Sequence, residues 1–158
     1  MNTSARKQFL ELVQVFRLAS EADKEALASD YLTLVQRQSA SLKPITPILG
    51  FCMERAGSKE RAEAIFNHVV ENCNITYWPC PEVPAPLRRG HPDLKAACFK
   101  HAIVPVKLTE TLAVLCGTNP YDAEGVRAVF KHVAAKNPFP IFVLSEPEKV
   151  LKAVVQIE

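Results

Sequence analysis

The side chains of this chain best suited to chemistry are its cysteines and histidines, and their spacing decides what they could share. Cys98 and His101 stand one helical turn apart, so they could share a face and bind a metal together. Cys116 closes an apolar run and could act as a nucleophile, with His101 or His132 as its base. Cys73, Cys80 and His91 flank a proline-rich stretch. No C-x-x-C pair exists, however, and structural zinc takes four well-placed ligands. A phosphate-cradling loop is absent as well, since none of Gly50, Gly57, Gly90, Gly117 and Gly125 precedes Lys-Ser or Lys-Thr. The expectation is therefore no catalytic residue, no metal and no cofactor: not an enzyme, but a protein that works by binding.

Composition narrows the binding partners. The chain has 158 residues, 48% of them hydrophobic and 23% charged, which is ordinary for a globular protein. A formal charge of +2 lacks the concentrated basic surplus of a nucleic-acid binder, so no nucleic acid is expected. No apolar run approaches the roughly 18 residues that span a bilayer. Met1 to Gln8 runs straight into an amphipathic helix containing Glu11, which is not the pattern of a signal peptide. The five cysteines are an odd number, and Cys52, Cys98 and Cys116 sit in apolar sequence, as buried free thiols do. A cytoplasmic location is expected.

The elements that would position a binding surface follow from periodicity and caps. Ser4 could cap a first helix running to about Arg17, with Phe9, Leu10, Leu12, Val13 and Phe16 on its apolar face. Ser20 to Asp23 has the form of a capping box for a second helix to about Gln38, with Leu27, Tyr31, Leu34 and Val35 along one side. Thr46-Pro47 opens a third helix from Ile48 to Arg55. Gly57 closes it, and Ser58 caps a fourth from Lys59 to about Glu71. Ile75 to Trp78 could be a short strand, and the five prolines in the stretch Tyr77 to Pro92, Pro92 included, predict an extended, semi-rigid linker. A helix starts at Pro92. Strands are expected at Ile103–Leu108 and Thr111–Cys116, joined by a turn at Thr109-Glu110. A helix from Asp122 to about Ala135 ends at Asn137-Pro138; a strand, Phe139 to Leu144, has its proline near the start or at an edge. Ser145-Glu-Pro-Glu148 reads as a capping box for the last helix. The expected fold is α+β: N-terminal helical hairpins, then a small α/β layer of helix-strand-strand-helix-strand-helix. The divisions are 1–74, a strand and linker at 75–91, and 92–158.

This order resembles the N-terminal domain of type II secretion and type IV pilus assembly ATPases. Val104-Pro-Val106 matches that family's proline-then-branched strand. Leu112 to Pro120, ending in Asn119-Pro120, is similar to its apolar strand ending in Asp-Pro. The resemblance covers about 45–158, with a looser match before it. It implies a non-catalytic module that binds the cytoplasmic part of an inner-membrane assembly protein, touching the membrane only through that partner. One branch of the family binds cyclic di-GMP through a signature opening Arg-Leu-Gly. Here the corresponding start reads Ile45-Thr-Pro-Ile-Leu49, and Arg6 at the first hairpin has no Leu-Gly after it, which argues against cyclic di-GMP. Ligand sensing by the helical hairpins and a stand-alone interaction adaptor are the alternative roles.

The candidate partner-binding residues are Tyr77 and Trp78, of types enriched at interface hot spots, and the basic cluster Arg88, Arg89 and His91. The same tryptophan could instead close the seam between the two regions.

Overall fold

The computed structural model describes residues 2–133 and 139–157. Four helices come first: α1 (Asn2–Phe16), α2 (Lys24–Ala40), α3 (Ile48–Glu54) and α4 (Lys59–Asn72). The second half is α5 (Pro92–His101), β1 (Val104–Leu108), β2 (Leu112–Gly117), α6 (Ala123–Phe130), β3 (Phe139–Leu144) and α7 (Pro147–Val154). Helices plus a three-stranded sheet make this an α+β fold, as the sequence predicts.

Helices α1 and α2 pair, as do α3 and α4, because each presents an apolar stripe that must leave water. Phe9, Leu12, Val13 and Phe16 of α1 bury against Tyr31, Phe51, Phe66 and Val69. Phe9 stacks on Tyr31 at 5.1 Å between ring centres and meets Phe51 edge-on at 5.9 Å. In the sheet, β1 and β2 are antiparallel and β2 and β3 parallel, in the order β1-β2-β3. The Thr109 hydroxyl accepts from the Leu112 amide at 2.9 Å and shapes the hairpin turn. Helix α6 packs on β2 and α7 on β1 and β2, enclosing Val104, Leu115, Cys116, Val129, Val143 and Val150.

The two cores meet at β3. Val143 belongs to the α/β core, its neighbour Leu144 to the helical core, and Phe142 packs against both. Gly50 of α3 lies against α7 so closely that a Cβ there would stand 3.0 Å from the Pro147 Cβ. The Ile45 amide donates to the Phe99 carbonyl of α5 at 3.0 Å.

Several predicted details change. Ser4 lies inside α1 and does not cap it. Thr46 does not cap α3, because Gln38 holds it: Gln38 Nε2 donates to its hydroxyl at 2.7 Å and its amide donates to Gln38 Oε1 at 2.8 Å. Ser58 does cap α4, accepting from the Arg61 amide at 3.2 Å. Ser145 makes no cap: its amide donates to the Gly117 carbonyl at 3.1 Å, extending the β2–β3 pairing, and its hydroxyl is buried with no hydrogen-bond partner among the described residues. Ile75–Trp78 forms only a bridge between Tyr77 and Leu144, flanked by two hydrogen bonds, Leu144 amide to Thr76 carbonyl and Trp78 amide to Leu144 carbonyl. The proline-rich stretch is folded onto the protein. Val83 and Leu87 enter the α/β core, 85–87 form a turn of 3₁₀ helix, and the Val83 amide donates to Gln156 Oε1 at 2.9 Å. Helix α6 ends at Phe130, and the predicted break at Asn137-Pro138 lies outside the described residues.

Candidate functional site

The predicted partner-binding residues divide between two places. Tyr77 stands at the junction of the cores, its ring meeting Phe66 of α4 edge-on at 5.9 Å and its hydroxyl donating to Glu146 at the start of α7. Lys149 pairs with the same carboxylate at 2.6 Å and donates to the Pro79 carbonyl at 3.0 Å. Trp78 is half-buried against the α/β core. Arg88 turns back to donate to the Val83 carbonyl at 2.9 Å, and His91 Nε2 lies 3.1 Å from the Pro86 carbonyl. Arg89 is exposed beside them.

The cysteines are placed as small core side chains. Cys98 and Cys116 are buried, and burial pushes each thiol up to about 12, which keeps it protonated and weakens it as nucleophile or metal ligand. Cys52 is pushed up to about 12 for the same reason. No group of three or more metal-ligating side chains occurs among the described residues.

A cleft of about 80 Å³ opens where the helical half meets the α/β layer. Its helical wall is Gln8 of α1, Tyr31 of α2 and the segment from Ile45 to Ile48; its other wall is Lys100 to Ile103, with Thr118, Asn119 and Asp122. The backbone explains why these polar groups gather there. Ala102 adopts the left-handed conformation (φ 52°) that ends α5, so Lys100 and His101 stay on the rim while Ile103 turns into the core. The buried apolar run of β2 ends at Gly117, and Thr118-Asn119 then leads into α6. Asp122 caps that helix, accepting from the Gly125 amide at 2.9 Å.

Charge within the cleft is finely set. Burial raises the Asp122 carboxyl above its ordinary range, against the lowering effects of the Gly125 amide and His101. Burial lowers His101 below 6.5, and Asp122 partly offsets that. Tyr31 donates its hydroxyl to the Thr46 carbonyl at 2.7 Å. His101 and Asn119-Pro120 stand out in the sequence, but Gln8, Lys100 and Thr118 do not. The available signal is the change from apolar to Thr-Asn at the end of β2, where ligands of α/β sheets gather.

No protein-family model matches the sequence, and no curated protein does. Among solved structures, a chain from the structure of MshE with cdg is similar, a type IV pilus ATPase with cyclic di-GMP. The likeness has a TM-score of 0.44 and 11% identity, and it covers 95% of this chain and 98% of that one. It is a distant likeness of fold. The cyclic di-GMP in that structure corrects one expectation: the missing Arg-Leu-Gly is not sufficient ground for excluding the nucleotide here. No helix among the described residues is long and apolar enough to cross a membrane.

Proposed function

We propose that this chain is a non-catalytic docking domain of the secretion and pilus ATPase kind, which binds the cytoplasmic part of an inner-membrane assembly protein. The observation that carries the reading is the edge of β3 away from β2, which no described residue pairs between Phe139 and Phe142. Phe139 is 75% exposed and Ile141 41%, two large apolar side chains on one face of an edge strand. The Phe139 amide donates to the Thr111 carbonyl, so alternate residues 139, 141 and 143 turn their main chain toward β2. Residues 140 and 142 turn theirs to the open edge, where Pro140 has no N–H to leave unpaired. Further along that edge, Leu144 is already paired with Thr76 and Trp78. An added strand would continue that pairing and cover both apolar side chains.

The test is calorimetric titration of the chain with a purified cytoplasmic part of such an assembly protein. Phe139→Asp is expected to weaken binding about thirtyfold, as loss of an interface anchor does. Equal binding by wild type and variant would overturn the reading. A second reading, nucleotide sensing, draws support from Arg6 on the helical hairpin, whose guanidinium joins α1 to Glu25 of α2 and offers a planar fork to a phosphate. Titration with cyclic di-GMP and Arg6→Ala distinguishes it.

A further inference from the structure

The cleft between the helical half and the α/β layer contains more polar capacity than the protein uses. Thr118 is 3% exposed and lines the cleft, yet no described residue hydrogen-bonds its hydroxyl. That hydroxyl is not among the buried unsatisfied atoms, so it opens to the cleft and is free to donate to a ligand there. Among the described residues Lys100 has no ion-pair partner, and the Asn119 side chain uses only its oxygen, accepting from the Tyr121 amide at 2.9 Å. His101 is half-buried on the same wall, and among the described residues its ring has no hydrogen-bond partner. One ammonium, one imidazole, one hydroxyl and one amide N–H₂ thus border the same space as donors.

We propose that this cleft binds the phosphate group of a small molecule, held by Lys100, His101, Thr118 and Asn119. Donors predominate, and a phosphate is the compact group that takes several of them at once. Size agrees: a water needs roughly 10–15 Å³ of such space, so this cleft admits a group of several heavy atoms. Asp122 is the one carboxylate among the lining residues. One of its oxygens takes the Gly125 N–H at the start of α6, where the helix dipole offsets its charge. A metal cation fits poorly beside the Lys100 ammonium. The site is separate from the β3 edge, since neither Phe139 nor Ile141 lines it, and it stands whether or not docking is confirmed.

The test is amide-resolved NMR titration of the whole chain with inorganic phosphate, with a ribonucleoside monophosphate, and with sodium chloride at matched ionic strength. The expected result is saturable shifts at residues 100–103 and 118–122 with both phosphates and none with chloride. Equal affinity for the two identifies the phosphate itself as the ligand; tighter binding of the monoester shows that the attached group adds contacts. Lys100→Ala removes a charge-assisted bond and should weaken binding about tenfold or more. Thr118→Val keeps the shape of the buried side chain, so the fold persists, and should weaken binding about fivefold. Lys59→Ala, an exposed change on α4, should leave affinity unaltered. Absence of saturable shifts, or the same loss in Lys59→Ala as in Lys100→Ala, overturns the proposal.

Discussion

Ser145 is the position where a sequence motif and the structure predict opposite signs. If its hydroxyl capped α7, Ser145→Ala would cost about 1 kcal/mol. In the structure the side chain is 0% exposed, and its oxygen has no hydrogen-bond partner among the described residues. Removing an unsatisfied buried hydroxyl relieves a penalty of about 1–3 kcal/mol. The void left by one oxygen, on the order of 10 Å³, returns about 0.3 kcal/mol of that. The net expectation is a gain of about 1 kcal/mol, or about 2–4 °C in Tm for a chain of this size. Urea unfolding read by the single tryptophan, Trp78, measures it directly, because that ring packs on the core beside β3. Ser58→Ala provides the internal contrast, since that hydroxyl does cap a helix and its loss should cost about 1 kcal/mol. A loss of stability in Ser145→Ala, equal to that in Ser58→Ala, would refute the reasoning.

Gln38→Ala removes both bonds to Thr46 and should lower stability by about 1–2 kcal/mol in the same assay; an unchanged midpoint would show that the clamp is idle. His101 has a folded pKa below its unfolded 6.5, so the unfolded chain takes up the proton first. Stability present above 6.5 is then lost as pH falls through that value toward the lower folded pKa. The unfolding midpoint should fall with acidification in this window, and His101→Gln should flatten the decline; an equal slope in the variant would contradict it. Asp122→Asn keeps an acceptor for the Gly125 amide but removes the carboxylate that raises His101, so the His101 titration by NMR should move further down.

Helix faces and strands were legible because burial imposes their period. The stripe Phe9, Leu12, Val13 and Phe16 is buried at helical spacing, and the apolar run Ala113 to Cys116 is buried as a core strand. Caps were less legible, because a serine or threonine before a helix can satisfy the helix or another neighbour. Ser58 caps; Thr46 is held by Gln38, eight residues back in sequence, and Ser145 is drawn into the strand pairing. The proline-rich stretch read as an extended linker, but Val83 and Leu87 find the α/β core and anchor it. The cleft was hidden for a related reason. Gln8, Tyr31, Lys100 and Thr118 come from separate elements and line one cleft only once the helical half packs on the α/β layer. His101 was visible as a reactive type, but its neighbours were not.

The central claim is that a partner docks on the open edge of β3, and hydrogen exchange tests it most directly. Phe142 carries the one amide that this half of β3 turns to the open edge, because Pro140 has none, and no described residue pairs with it. With the cytoplasmic part of an inner-membrane assembly protein added, exchange at residues 141–143 should slow markedly, and Phe139→Asp should abolish the change. Protection confined to α1–α4, with 141–143 exchanging as in the free chain, would contradict the account.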